Sequence, residues 1–178
     1  MCSFRIAAAV FYTWINDTPV GRLLLAGDDD YLRWLVFDSE KSRQRHGLPK
    51  DDWQPNDRPF REAVRQLQAY FAGNLRRFDL PFDGSGTGFQ KQVWRALLDV
   101  PYGETASYSD IARAVGRPKA FRAVGTANGR NPISIIVPCH RIVGSTGQLT
   151  GFGGGLDRKQ TLLRHEAGIL NSGSSGVS

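Results

Sequence analysis

The stretch TASYSDIARAVGRPKAFRAVGTANGRNP, residues 105–132, decides the fold. Ser107 followed three residues later by Asp110 is the pattern of a capping box, and it predicts a helix from there through Val115. The GRP tripeptide at 116–118 breaks that helix. Lys119 to Asn128 then reads as a second short helix, closed by Gly129 and Pro132. Helix, tight glycine turn and helix are the order of a helix-turn-helix, although many plain helical hairpins share the pattern.

On the upstream side, FQKQVWRALLDV (89–100) places Phe89, Val93, Leu97 and Val100 on one helical face and stops at Pro101 and Gly103. On the downstream side, Ile133–Val137 reads as a short buried strand, because a run of branched apolar residues suits a covered sheet position. Pro138 cannot continue a central strand, so the chain is expected to turn there, with Cys139, His140 and Arg141 directly after. A loop with six glycines, GSTGQLTGFGGG (144–155), follows; it can approach a ligand closely but lacks the spacing of a phosphate-binding loop. Asp157 starts a last helix that carries His165 and Glu166.

The first half has a different texture. Ala9–Ile15, Arg22–Ala26 and Leu32–Phe37 are β-prone runs separated by turn-rich segments. Residues 38–58 show no period and read as a variable connection. RPFREAVRQLQAYFAG aligns Phe60, Val64, Leu67 and Phe71 along one helical face, with Gly73 as its stop. LPFDGSGTG, residues 80–88, reads as a linker. The expected fold class is therefore α/β of the α+β kind: a small N-terminal antiparallel sheet with a helix over residues 1–80, a linker at 81–88, a mainly helical domain over 89–170, and a flexible tail, residues 171–178.

The composition, 40% hydrophobic and 22% charged over 178 residues, is that of a globular protein and excludes disordered and fibrous classes. No apolar run approaches the roughly 18 residues of a membrane span. The opening MCSFRIAAAVFY matches a signal peptide poorly, so a soluble, cytoplasmic chain is expected. The net charge of +6 is unevenly placed. Residues 1–88 balance 12 basic against 12 acidic side chains, so the whole excess lies from Phe89 onward. That excess either solubilises a surface or faces a polyanion.

The two cysteines, Cys2 and Cys139, form no CxxC pair, and His46, His140 and His165 show no metal-ligand spacing with them; neither a metal nor another cofactor is expected. A lone cysteine in an apolar run is ordinarily a small inert hydrophobe. Beside an imidazole it becomes a candidate nucleophile, because the thiolate is the reactive form and a neighbouring base promotes it. Arg141 reads more readily as a structural ion-pair partner.

PCHRIVGSTGQLTGFGGG, preceded by RAVGTANGRNPISIIV, resembles the O6-alkylguanine-DNA alkyltransferase (methylated-DNA–protein-cysteine methyltransferase) family, continuously from about Phe89 to Gly168. The first half agrees in outline, and its lack of further cysteines resembles the compact bacterial form. The resemblance implies a ribonuclease H-like N-terminal domain and a winged helix-turn-helix-like catalytic domain. It also implies irreversible, single-turnover transfer of an alkyl group from O6-alkylguanine, and O4-alkylthymine, in duplex DNA to Cys139. On the same ground His140 takes the thiol proton through a water, Glu166 orients the imidazole, Asn131 pins the turn that carries the cysteine, and Tyr108 donates a proton to the departing guanine. Arg122 fills the stack when the target nucleotide flips out. The helix from Lys119, with Ala120, Phe121, Ala123, Thr126 and Asn128, lies in the minor groove. Val137, Pro138, Gly151, Phe152, Gly153 and Gly154 line the alkyl pocket.

Two departures stand out. Phe121 occupies a position that relatives keep small; it is either a wedge or, the favoured expectation, core packing. Gly153 stands where some relatives carry serine, which suggests a roomier pocket. DNA with an alkylated guanine is the expected partner, of a monomer without an obligatory protein partner. Two other classes compete. A binder of alkylated DNA without repair activity lacks the acceptor cysteine, and a cysteine hydrolase usually brings its histidine from a distant segment.

Overall fold

The computed structural model describes residues 9–173. The expectations for Cys2 and for residues 174–178 lie outside the described residues. Strands β1 (Phe11–Ile15), β2 (Leu23–Gly27) and β3 (Leu32–Phe37) form an antiparallel meander. A two-residue strand, β4 (Gln54–Pro55), pairs in parallel with β1, so the sheet order is β3-β2-β1-β4 and the sheet is not wholly antiparallel. Central β2 is buried along its whole length. Its alternation sorts the two faces: Leu23 and Leu25 enter the main core, while Leu24 and Ala26 pack with Val36, Leu48 and Trp53 on the other side.

Residues 38–58, expected to be an irregular connection, supply the cover for that second face. They contain α1 (Glu40–His46), with the Ser39 hydroxyl accepting the Ser42 N–H and Gly47 closing the helix at φ 59°. In α2 (Arg61–Phe71) the buried stripe is Ala63, Leu67 and Tyr70. Val64 and Phe71, placed on the buried face by their spacing, are only partly covered.

The second half holds α3 (Gly88–Leu98), β5 (Ala106–Ser107), α4 (Tyr108–Ala114), α5 (Phe121–Gly129), β6 (Ile142–Val143) and α6 (Leu156–Gly173). The Ser107–Asp110 capping box is formed, and Thr87 with Gln90 makes a second one at the start of α3. β5 and β6 pair in parallel beside the two helices of the helix-turn-helix. α6 continues past residue 171, where a tail was expected, as far as Gly173.

The halves are joined by more than the linker. Leu32 N–H donates to Pro81 and Asp83 N–H donates to Leu32, so the linker runs along β3. Leu35 N–H donates to Pro132 and Ser134 N–H to Leu35, which docks the segment before Cys139 on the same edge. One apolar core runs from Leu23 in β2 through Leu97 in α3 to Leu162 in α6. No helix among the described residues is long and apolar enough to cross a membrane.

Candidate active site

The segment that delivers Cys139 is not the expected strand. Ser134 bridges to Val137 across a two-residue turn, and Ile135 sits at φ 72°. A β-branched residue in that region is costly, by about 1–2 kcal/mol. The cause is Asn131. Its side-chain oxygen accepts the Ile133 N–H at 3.0 Å, and its amide donates to the carbonyls of Ile133 at 3.3 Å and Val137 at 2.8 Å. Those groups are therefore unavailable to a sheet ladder, and the chain folds back on the Asn131 amide instead of extending. The branched run is buried because the surrounding core encloses the turn.

Cys139, His140 and Arg141 form a single 3-10 turn directly after Pro138. Cys139 is a free thiol, 4% exposed. Burial pushes it up from its ordinary pKa, against the Asn131 amide, the Lys159 ammonium and Ser134, which favour the thiolate. His140 is fully buried, and its Nε2 lies 2.9 Å from Glu166 Oε1. Burial pulls the imidazole down, against the pull of Glu166, so it is neutral at neutral pH. Glu166 is also buried, yet its contacts with His140 and Arg141 outweigh desolvation and hold it well below the usual carboxylate range. An ionised carboxylate only accepts, so the imidazole proton resides on Nε2. Nδ1 is left as the acceptor, and it is buried with no hydrogen-bond partner among the described residues. A base with one face satisfied and the other open is what proton abstraction requires.

Glu166 collects further donors. Arg141 reaches Oε2 through Nε and Oε1 through Nη2, both at 3.0 Å, and its Nη1 donates to the Val100 carbonyl at 2.6 Å. The structural reading of Arg141 is thereby met. Gly103 N–H donates to Oε2 at 3.1 Å and the Tyr70 hydroxyl to Oε1 at 2.7 Å. Tyr70, from α2, was not singled out in the sequence; 96 residues separate it from its partner.

Tyr108 opens α4, and its phenolic oxygen accepts the Thr150 hydroxyl at 3.0 Å. Thr150 is held in turn by Lys159, a fully buried lysine that donates to the Thr150 carbonyl at 3.2 Å and to the Ile142 carbonyl. Neither Lys159 nor Thr150 carries a sequence signal that marks it.

The second helix starts at Phe121, not at Lys119 as expected: Lys119 lies in the preceding turn and is exposed, Ala120 is the half-buried N-cap, and on α5 itself Phe121, Arg122, Ala123 and Thr126 are exposed. Phe121 is 45% exposed, and the Arg122 guanidinium lies over its ring at 5.7 Å. The expectation of core packing is therefore wrong: Phe121 is the first residue of α5, and the buried face of that helix begins only at Val124. Asn128 departs from the expected groove face as well. It is buried, and its amide approaches the Cys139 carbonyl at 3.4 Å, because it shares the inward face of α5 with Val124 and Ala127.

The expected pocket residues divide. Phe152, Gly153 and Gly154 border a cavity of about 20 Å³ beside Cys139, together with Asn128, Asn131, Ser134 and Arg45. Gly154 must be glycine, since a Cβ there would lie 2.5 Å from the Phe37 ring. Val137 and Pro138 do not line that cavity. Val137 turns to a separate groove of about 160 Å³ between the linker and α3, a consequence of the turn at Ile135. Gly151 faces a wide cleft of about 1010 Å³ between α1 and α5. The cavity is not roomier for lack of a side chain at Gly153: the Arg45 guanidinium fills that space, 3.1 Å from where a Cβ would lie, and donates to the Gly129 carbonyl. No group of three or more His, Cys, Asp or Glu among the described residues is placed to hold a metal ion.

A buried thiol next to an imidazole–carboxylate pair, set behind a helix-turn-helix in the basic half of the chain, is the arrangement of a DNA-directed protein with a candidate nucleophilic cysteine. Comparison with known proteins makes the class specific. Residues 88–168 match the DNA-binding domain, and residues 10–84 the ribonuclease-like domain, of 6-O-methylguanine DNA methyltransferase. The chain is 52% identical over 155 residues to the methylated-DNA–protein-cysteine methyltransferase of Methanosarcina acetivorans, covering 87% of this chain and 97% of that one. It is 54% identical over 151 residues to the protein of the same name from Mycobacterium leprae, covering 84% and 88%. The crystal structure of Mycobacterium tuberculosis OGT in complex with DNA superposes with a TM-score of 0.82 at 48% identity, covering 89% of this chain and 94% of that one. The chain belongs to the methylated-DNA–protein-cysteine methyltransferase family.

Proposed function

We propose that this chain repairs duplex DNA by moving an alkyl group from guanine O6 to its own Cys139, once and irreversibly. The observation that carries the reading is a neutral His140, one residue from the thiol, whose Nε2 is committed to Glu166 and whose Nδ1 has no partner among the described residues. His140 takes the thiol proton through a bridging water. The sulfur attacks the carbon on O6, the C–S bond forms as the C–O bond breaks, and the guanine leaves with a proton from Tyr108. Thr150 already donates to the Tyr108 oxygen, which leaves the phenolic proton free for the guest. A thioether is a poor leaving group, so Cys139 is not regenerated.

The exposed face of α5, Phe121, Arg122, Ala123 and Thr126, meets the minor groove together with Lys119 of the preceding turn. Arg122 replaces the flipped nucleotide in the stack. We assign DNA contact and alkyl acceptance to residues 89–170, support to residues 1–80, and the junction to 81–88. A protein that must keep a reduced thiol and reach DNA acts in the cytoplasm.

Intact-mass spectrometry after incubation with duplex DNA containing O6-methylguanine tests the reading. The expected product carries one added CH₂ per chain, on Cys139, with none after Cys139→Ser, which still binds the DNA. Repeated turnover, or methyl on Cys2 alone, overturns it.

A further inference from the structure

We propose that Tyr70, on α2 of the N-terminal half, is a positioning residue for alkyl transfer: its hydroxyl sets the strength with which Glu166 holds His140. This rests on the reading of Cys139 as acceptor and His140 as its base. Tyr70 is fully buried. Its ring packs against Phe71, Phe78, Tyr102 and His165, a niche that a phenylalanine would fill equally well. The hydroxyl is the part that packing does not explain, and it donates at 2.7 Å to the same oxygen, Oε1, that His140 Nε2 approaches at 2.9 Å. Among the described residues, it is the one donor to Glu166 that comes from the N-terminal half.

Three donors, the Tyr70 hydroxyl, His140 Nε2 and Arg141 Nη2, share that carboxylate oxygen and compete for its charge. The Tyr70 hydroxyl therefore weakens the pull of Glu166 on the imidazolium, which keeps His140 neutral and able to accept a proton. Removing it strengthens that pull, so His140 protonates at higher pH and the supply of neutral base falls on the acid side. The other charged and titratable groups facing the pair remain in place. These are Arg141 against Glu166, Lys159 near His140 and Cys139, Tyr102 beside Glu166 with Arg76 over its ring, and His165, whose Nε2 donates to the Tyr70 carbonyl.

The test is the rate of Cys139 alkylation by free O6-benzylguanine as a function of pH, for the full chain, Tyr70→Phe and Phe78→Leu. Free base removes DNA affinity from the readout. In Tyr70→Phe the midpoint of the acid limb should move up by about half a pH unit or more. Phe78→Leu, a packing lesion beside the same ring, should lower the melting temperature and leave the midpoint unmoved. An unchanged midpoint in Tyr70→Phe, or equal shifts in both variants, overturns the assignment. If Tyr70→Phe does not fold, fluorotyrosine incorporated throughout gives the complementary reading with iodoacetamide, a reagent whose leaving group needs no proton from Tyr108. The stronger donor should move the midpoint down, and an unmoved midpoint overturns the assignment. A parent chain that no alkylguanine labels would sink the acceptor reading itself, and Tyr70 with it. A labelled parent with an unmoved midpoint sinks only Tyr70.

Discussion

Replacing Arg141 by methionine asks what the buried cation contributes. Its side chain is 8% exposed, and Glu166 beneath it is fully buried. Methionine keeps most of the aliphatic length but removes two hydrogen bonds to the carboxylate and one to the Val100 carbonyl. The remaining donors, Tyr70, His140 and Gly103, bring no permanent charge. Removing one partner of a buried ion pair costs about 3–5 kcal/mol. A domain of this size loses about 2–4 °C per kcal/mol, so melting at pH 7 should fall by roughly 6–20 °C. The pH dependence has a definite sign. Glu166 titrates below its ordinary range in the folded chain, so its stabilisation is complete above the unfolded value of about 4.3 and is lost as pH falls below it. The gap between parent and Arg141→Met should thus be full at pH 7 and shrink in acid, since the parent then loses what the variant already lacks. Adding Glu166→Gln to Arg141→Met removes the stranded charge and should recover part of the loss. Thermal unfolding of the parent, both single variants and the double variant at neutral and acid pH measures all of this. An Arg141→Met chain that melts within about 2 °C of the parent, or strictly additive losses in the double variant, would refute the argument.

Two further outcomes follow from exposed or closing side chains. Phe121→Ala should leave the melting temperature and the reaction with free O6-benzylguanine unchanged while slowing repair in duplex DNA; loss on both substrates together would return Phe121 to a packing role. Arg45→Ala should speed labelling by free O6-benzylguanine, because its guanidinium closes a cavity with room for about one water but not a purine; an unchanged rate would show that another group limits access.

Much of the site was legible because its signals are local. The capping box at Ser107, the turn at Gly116 and the Cys139-His140 pair each depend on neighbours within a few residues. What failed was decided by side-chain hydrogen bonds and by which face the core covers, neither of which an apolar pattern records. Ile133–Val137 has the composition of a strand, yet Asn131 claims the backbone groups a strand would use. α1 has no apolar residue to give a period; only its caps, Ser39 and Gly47, could have marked it. Phe121 was expected to pack because aromatic residues usually do, but it is the first residue of α5, which meets the core only from Val124 onward. Asn128, read as a groove residue, turns inward for the same reason.

The N-terminal half carries neither the thiol nor its base, yet it grips the reactive turn from two sides. On one side, β3 pairs through Leu35 with Pro132 and Ser134, fixing the turn that Asn131 shapes. On the other, Tyr70 of α2 holds the far end of the His140–Glu166 pair. Between these points lie the turn at Ile135 and the 3-10 turn Cys139–Arg141. The N-terminal half thereby touches both the turn before Cys139 and the carboxylate paired with His140, and on the proposed reading it acts as a clamp on the two. Its substitutions should appear in the chemistry of alkylation before they appear in DNA affinity.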